Sequence, residues 1–527
     1  MIYHCEDHTC NYWDEGEKLP ERCPQCGRKL LRANETDMTG DDWTALGNTL
    51  WDAEASDKKR MVDCFRKAAY LGSAWGVCNL GICMEQGNGV EADPVQAFWL
   101  YQQAVEMGSL NAVCCLGVCY QYGIGTAPDA EKAAELYCKA AEYGSPRGQM
   151  LLARAFHDGI GVEADAAEAV HWVRAAAYQR YGEGMYRLGV CYEYGDGVEQ
   201  NWEHAVHWFR EAAESGVSTA MTDLGYCYEK GCGVEQSWEQ AFSWYRRGAE
   251  CGDLQSMNNL AYCYERGEGV EQNEDRALYW YRRGAEAGSV HCMFCLGWNY
   301  SNGVGVKQDM TEAIRWYTAA AEGGNAAAMH SLGWHYDHGE GVEQDMKKAI
   351  CWYERAAEQN RPAAMNSLGE CYAMGRGVPR DLETAMEWYR RAAELGEAMA
   401  DYNMGWHLEQ AGKLSEAYAH YRKAADGNDD SAWWALGRFY ENGVVVAQDG
   451  KEARRCYETG EKLGSVKCKM RLARCKLLGI GGRREKKAGL DLCRQALELA
   501  KESSEKEDYG YEAEMNLLRR TIAENES

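Results

Sequence analysis

Hydrophobic and polar residues alternate along most of this chain in a pattern that repeats about every 36 residues. In residues 218–230, Met221, Leu224 and Cys227 recur at the spacing of one helix face, and the small Gly225 lets a second helix approach closely. The following stretch, 231–234, reads Gly-Cys-Gly-Val, and glycine adopts the positive φ of a helix C-terminus at little cost. The pattern predicts a first helix, A, that ends at a glycine turn.

A second amphipathic segment follows each glycine turn. In the same unit it begins after Ser237, carries Ala241, Trp244 and Tyr245 toward its neighbours, and ends near Gly252. Ser, Asn and Asp satisfy free N–H groups at helix starts, and most units have one of them at this place. The pattern therefore predicts a second helix, B, in each unit. The predicted caps are Ser237, Asn201, Asn273, Asp309, Asp345 and Asp381, with Gln240 and Glu312 placed to complete capping boxes.

Each helix A has a Leu or Met followed by Gly or Ala, and we number positions from this anchor residue. A fixed period of 20 to 50 residues is typical of a solenoid built from stacked helix pairs. Thirteen anchors are present, with one step of 34 residues at the start and one of 32 after Met404. The anchors are Leu46, Leu80, Leu116, Leu152, Leu188, Leu224, Leu260, Leu296, Leu332, Leu368, Met404, Leu436 and Leu472.

The repeat resembles the Sel-one-like repeat, a relative of the tetratricopeptide repeat. Clear copies of its pattern run from Ala328 to Gly341 and from Ala349 to Glu358. The resemblance implies an all-α, right-handed superhelical solenoid of about thirteen antiparallel helix pairs that scaffolds protein complexes. We expect three parts: a small module in residues 1–32, the repeat solenoid in 43–500, and a C-terminal capping helix in 508–527.

Composition narrows the class of partner. The chain has 527 residues, 46% of them hydrophobic, and a formal net charge of -25, which disfavours general nucleic-acid binding. The first residues lack the pattern of a secretory signal, and no apolar run is long enough to cross a bilayer. We therefore expect a cytoplasmic protein with no membrane partner, whose recurring cysteines are small buried residues. Those are Cys83, Cys119, Cys191, Cys227, Cys263 and Cys371.

The N-terminal segment has the spacing of a zinc site. Cys5 and Cys10 precede a tight Cys23-x-x-Cys26 pair, and four thiolates of this kind can bind zinc tetrahedrally. His8 could replace Cys10 as a ligand. The segment resembles a zinc ribbon and has too few apolar residues to fold without metal, so we predict one structural Zn²⁺.

The face of helix A opposite the core is the candidate binding surface. At about 100° per residue, positions −2, +2 and +5 point away from the core, toward the concave side of tetratricopeptide-like arrays. Position +5 provides an acidic row: Glu193, Glu229, Glu265 and Asp337. The predicted protein-binding residues, at −2 and +2, are Tyr226, Asn258, Tyr262, Phe294, Trp298, His330, Trp334, Asn366, Tyr402 and Trp406. The alternative is that these rings pack against the next helix A.

The sequence favours a non-enzymatic adaptor that binds one or more proteins through extended peptide segments on this surface. One alternative is targeting to nucleic acid or to a complex by the zinc ribbon, although residues 1–32 hold five basic and six acidic residues. Another is a hydrolase with a site in the groove, for which His330, His335 and His338 are the visible lead. A basic run between Lys467 and Lys487 could support self-association.

Overall fold

The computed structural model describes residues 2–5, 13–15, 30–33, 38–51, 55–506 and 512–526. The chain divides into two compact units, Met1–Asn273 and Glu274–Ser527. The first unit contains a three-stranded antiparallel sheet whose central strand includes Tyr3, which lies opposite both Asp14 and Arg32 of the two outer strands. All remaining described elements of both units are helices.

Three strands and thirteen helices are described in the first unit: β1 Ile2–Cys5, β2 Trp13–Glu15, β3 Leu30–Ala33, α1 Gly40–Thr49, α2 Ala55–Tyr70, α3 Ala74–Gln86, α4 Pro94–Glu106, α5 Leu110–Tyr122, α6 Ala130–Glu142, α7 Pro146–Asp158, α8 Ala166–Tyr178, α9 Gly182–Tyr194, α10 Trp202–Glu214, α11 Ser218–Lys230, α12 Trp238–Glu250 and α13 Leu254–Arg266.

Fourteen helices are described in the second unit: α14 Glu274–Glu286, α15 Val290–Asn302, α16 Met310–Glu322, α17 Ala326–His338, α18 Met346–Glu358, α19 Pro362–Met374, α20 Leu382–Glu394, α21 Ala398–Gln410, α22 Leu414–Asp426, α23 Asp430–Asn442, α24 Gly450–Lys462, α25 Val466–Leu478, α26 Lys486–Lys506 and α27 Glu512–Glu526.

The helix pairs follow the predicted boundaries closely. Helix α11 spans the predicted A segment, and the Gly231 that ends it has a φ of 74°. Helix α12 begins after Ser237, whose hydroxyl accepts a hydrogen bond from the backbone N–H of Gln240. Asp309 caps α16 in the same way by accepting from the N–H of Glu312. The carboxylate of Glu312 itself accepts from Arg315 at 3.3 Å. Five of the predicted caps are therefore confirmed: Asn201, Ser237, Asp309, Asp345 and Asp381. The cap at Asn273 and the two capping boxes stay predictions.

The second glycine of each turn makes a close contact with the preceding unit. A Cβ on Gly233 would lie 2.4 Å from the carbonyl oxygen of Trp202, and one on Gly161 would lie closer still to that of Ala130. Gly233 also has a φ of 69°, which favours glycine. The Gly-x-Gly turns therefore end helix A, as predicted, and also allow helix pairs to stack.

An aromatic ring of helix B fills the core of most pairs. Tyr245, Tyr353 and Tyr389 are almost fully buried, and each ring covers the glycine that follows the anchor of its own helix A. A Cβ on Gly369 would lie 2.5 Å from the ring of Tyr389. The Leu-Gly anchor is therefore a ring-packing motif in which glycine provides the space for the ring.

The recurring cysteines are small core residues, as predicted. Cys83, Cys119, Cys227, Cys263 and Cys371 are buried, and Cys191 is half-buried. Burial raises the pKa of the Cys371 thiol to about 11, so this thiol stays protonated at neutral pH. At the C-terminal end, Met515 and Leu518 of α27 join a buried cluster with Leu477 of α25.

Candidate functional site

Position +2 of helix A presents exposed rings in both units. In the first unit, Tyr226 and Tyr262 are 44% and 41% exposed. In the second unit, Trp298 and Trp406 are 42% and 38% exposed, and Trp334 is half-buried. Isolated exposed rings are common on protein surfaces, but these recur at one position of consecutive or nearly consecutive helices. Each unit therefore has a row of rings in contact with solvent.

Charged and polar side chains one turn further along the helix contact these rings. The ammonium group of Lys230 lies 5.9 Å from the ring centroid of Tyr226, and the guanidinium of Arg266 lies 5.8 Å from that of Tyr262. The imidazole of His338 stacks on Trp334 with 4.3 Å between ring centroids. These contacts orient the rings and leave part of each ring surface accessible to a partner.

Position −2 is packed, in contrast. Phe294, His330 and Tyr402 each lie against the buried tyrosine of their own helix B, with ring centroids 5.9, 5.7 and 5.6 Å apart. Asn366 is only 5% exposed, and its Oδ1 accepts a hydrogen bond from Asn403 of the next helix A at 3.0 Å. Asn258 is half-buried on α13. The packing alternative therefore describes most of this row.

His330 illustrates the electrostatics of the packed row. Its Nε2 lies 3.2 Å from the hydroxyl of Ser367 on the next helix A. Burial, with a smaller effect of the positive charge of Arg361, lowers the pKa of His330 to about 4. His330 is therefore neutral at physiological pH and joins two consecutive A helices.

The acidic row at position +5 does not form a free acidic surface. The phenol of Tyr245 donates to Glu229 at 2.7 Å, and that of Tyr457 donates to Glu441 at 2.8 Å. Asp337 is buried and pairs with Arg376 at 3.0 Å. Of the predicted acidic row, Glu229 and Asp337 are therefore engaged within the chain. Positions +1 and +5 share one face of helix A, so the ring that covers +1 brings its hydroxyl to +5.

An acidic group does lie between the exposed tryptophans of the second unit. Glu370 occupies position +2 of α19, between Trp334 on α17 and Trp406 on α21. It accepts hydrogen bonds from Asn366 and Asn403 at 3.1 and 3.3 Å. Burial raises the pKa of Glu370, which remains within 3.7 Å of Arg376. The row therefore reads ring, ring, carboxylate, ring.

The histidines that suggested a metal site are held by different partners. His335 contacts the carbonyl oxygen of Glu340 at 3.0 Å, and His338 contacts that of Trp334 at 2.9 Å. Within the described ranges, no three or more His, Cys, Asp and Glu side chains converge on a possible ion position.

Of the predicted zinc ligands, His8, Cys10, Cys23 and Cys26 lie outside the described residues. Cys5 ends β1, and its side chain is not described. The zinc site stays a prediction.

Several cations of the basic C-terminal run are paired within the chain. Arg471 forms ion pairs with Glu514 at 2.6 Å and with Glu441 at 3.4 Å, and Arg474 also pairs with Glu441. The ammonium group of Lys467 lies 5.2 Å from the ring centroid of Trp434. Much of the charge proposed for self-association therefore stabilises the last helices.

No helix in the described part of the chain has the length and apolar character that a bilayer crossing needs.

A cavity in the first unit was missed by the sequence analysis. It has a volume of about 790 Å³ and lies between α7 and α9, with α8 behind it. Its wall includes Val173, which occupies the place of the buried ring in other units, and Ala153, which replaces the glycine after the anchor. The sequence signal was the pair Trp172-Val173 where the preceding repeat has Leu136-Tyr137 and the following repeat has Trp208-Phe209.

Comparison with known proteins gives one family. The model described as Sel1 repeat matches twelve segments: 76–109, 112–145, 146–181, 182–217, 218–253, 254–289, 290–325, 326–360, 362–397, 398–429, 432–465 and 466–501. None of the curated proteins compared with the chain matches it.

Two solved structures are similar to this chain in sequence. A protective antigen present in uropathogenic Escherichia coli strains, described as displaying an SLR fold, is 30% identical with a TM-score of 0.57; the match covers 81% of this chain and 94% of that one. A Sel1 repeat protein from Oxalobacter formigenes is 31% identical with a TM-score of 0.43, and the match covers 46% and 96% of the two chains. Arrays of such repeats are in general scaffolds for protein–protein interaction. The chain therefore belongs to the Sel1 repeat family.

Proposed function

We propose that this protein is a non-enzymatic adaptor that binds an extended segment of a partner protein across the exposed face of its A helices. The observation that carries the proposal is the recurrence of solvent-contacting rings at position +2, seen in the second unit at the exposed Trp298 and Trp406 and the half-buried Trp334. Tryptophan is enriched at the energetic centres of protein interfaces because it buries a large area at low conformational cost.

The surroundings of these rings favour a partner of basic or mixed polarity. Glu370 lies in the same row, and its carboxylate accepts from Asn366 and Asn403 while 37% of the side chain stays exposed. The formal net charge of -25 adds a long-range attraction for positively charged segments. Amide side chains such as Asn403 can also exchange hydrogen bonds with an extended backbone.

The test is affinity capture from the source cell with quantitative mass spectrometry. We expect Trp298→Ala/Trp334→Ala to capture at least about tenfold less of the specific partner than wild type. Each ring that the partner buries contributes on the order of 1–2 kcal/mol or more to the binding free energy. A matched control is Trp352→Ala/Trp388→Ala, which removes two half-buried rings from B helices, where each stacks with an arginine.

The control decides how a loss is interpreted. Loss in the position +2 variant alone, with unchanged helical circular dichroism, supports the proposal. Equal capture by wild type and both variants would reject the +2 row as the binding surface. Equal loss in both variants would show a general loss of structure and would also reject it.

A further inference from the structure

The cavity beside α8 has the position of a missing ring. In other units the ring of helix B lies against positions −2, +1 and +5 of its helix A, as the contacts of Tyr353 with His330, Gly333 and Asp337 show. In the fourth helix-pair repeat, counted from the anchor Leu46, these three positions are Met150, Ala153 and His157, and all three line the cavity.

The substitutions in this unit fit together physically. Val173 is too short to reach position +5, and Ala153 adds a methyl group where most repeats have glycine. In a repeat with glycine a Cβ at that place would collide with the ring, for example at 2.5 Å from Tyr137 for Gly117, although Ala261 and the buried Tyr281 occur together. The result is an apolar wall that includes Leu151 and Val170, open at the surface. A cavity of 300 to 1,000 Å³ is the usual size for a bound group.

The rim of the cavity carries cations without carboxylate partners. Arg147 donates to the amide oxygen of Asn111 at 2.7 Å. Within the described part of the chain, neither Arg147 nor Arg187 forms an ion pair with a carboxylate. The lining holds three arginines and three carboxylates, and of these arginines only Arg154 forms an ion pair, with Asp158. Arg147 and Arg187 therefore remain available to a negatively charged occupant.

The carboxylates of the rim are already engaged. Asp158 contacts the imidazole of His157 at 2.7 Å and Arg154 at 3.4 Å, and Asp196 contacts the other imidazole nitrogen at 3.1 Å. Glu183 accepts from the phenol of Tyr181 at 3.4 Å. The available partners at the rim are therefore guanidinium groups.

We infer that this cavity binds an aromatic side chain of a partner protein that has a carboxylate next to it in sequence. The ring would take the place of the missing ring of α8, and the carboxylate would pair with Arg187 or Arg147. The cavity lies on A helices of the first compact unit, residues 1–273, which also carries Tyr226 and Tyr262. The inference rests on the proposed function in assuming a protein segment as ligand.

The test uses the full chain and a blocked, fluorescent pentapeptide, Gly-Glu-Tyr-Glu-Gly, titrated by fluorescence anisotropy. We expect saturable binding that weakens at least about tenfold when the tyrosine of the peptide is replaced by alanine. Replacing both glutamates by lysine should weaken binding several-fold, more at low than at high salt.

The decisive variant restores the ordinary repeat. Ala153→Gly/Val173→Tyr fills the cavity, so peptide binding should be lost while the melting temperature stays equal or rises. Val95→Tyr adds the same ring at an exposed place on α4 and should bind like wild type. Arg187→Glu, a rim substitution that leaves the core unchanged, should weaken binding at least about tenfold and keeps the inference testable if the filled variant does not fold.

Three results would overturn the inference: no binding to wild type at millimolar peptide, equal binding to wild type and the filled variant, or binding of free N-acetyltyrosine as tightly as the peptide. The last result would assign the cavity to a small molecule. These outcomes are independent of the +2 row, because Trp298→Ala/Trp334→Ala leaves the cavity unchanged.

Discussion

Two rows of side chains on the same A helices have opposite surroundings. Positions −2 and +2 lie one helical turn apart on one face, yet Asn366 at −2 is buried while Trp406 at +2 is exposed. At −2, side chains contact the tyrosine of helix B and the next helix A. At +2, most rings face solvent. One face of a repeat helix can therefore combine a structural row with a row available for binding.

The largest expected effect lies on the core side of helix A. Gly369→Val would place side-chain carbon against the ring of Tyr389, because even a Cβ there lies 2.5 Å away. We expect a loss of about 2–3 kcal/mol in the free energy of unfolding, measured by urea denaturation followed by circular dichroism. Met374→Val, on the exposed end of the same helix, is the control and should change stability by less than about 0.5 kcal/mol. Equal effects would contradict the assigned ring packing.

The packed row should also show a pH effect through His330. The pKa of this imidazole is lowered to about 4 when folded, whereas the unfolded chain titrates near the usual value of about 6.5. As the pH falls from about 6.5 toward 4, the unfolded state takes up the proton first, so the stability present above pH 6.5 is lost.

The measurement compares wild type with His330→Gln between about pH 7.5 and 4.5. Wild type should lose on the order of 1–3 kcal/mol more than the variant over this range. The subtraction removes contributions of other groups, such as Asp429, whose pKa burial raises to about 6. Parallel pH profiles would show that His330 is not buried as described.

A smaller effect is expected at Asn366, where one amide joins two A helices. Asn366→Ala removes the acceptor for Asn403 and a donor to Glu370. We expect the free energy of unfolding, measured by thermal denaturation, to fall by about 1–2 kcal/mol. Partner capture should be unchanged apart from this destabilisation. Selective loss of capture at wild-type stability would place Asn366 in the binding row.

The smallest effect on stability is expected in the exposed row. Trp298→Ala should change the free energy of unfolding by less than about 1 kcal/mol, because the ring is 42% exposed. Its effect should appear in partner binding. A loss of stability as large as that of Gly369→Val would mean that the ring is structural, and the distinction between the rows would fail.

The fold could be predicted from sequence because each repeat carries redundant local signals. The anchor Leu224 marks the core face of helix A, and the turn glycine Gly231 and the cap Ser237 mark where α11 ends and α12 begins. Repetition of the same three signals at a fixed period made the helix-pair architecture clear.

The surface was harder to predict because it depends on neighbouring helices. The angle about one helix places −2 and +2 on the same side, but it does not tell how closely the next helix A approaches. Similarly, Glu229 at +5 faces away from the anchor yet receives the phenol of Tyr245 from helix B. The cavity beside Val173 required a comparison of every unit at the ring position, where the sequence departs from its own pattern.

The most direct test of the central claim is ¹⁹F NMR of the chain labelled with 5-fluorotryptophan, with resonances assigned by single substitutions. A captured partner is added at saturating concentration. Trp298, Trp334 and Trp406 should shift or broaden, while Trp352 and Trp388 of the B helices stay unchanged. Perturbation of the B-helix tryptophans alone, or of none of the five, would contradict binding across the exposed row of the A helices.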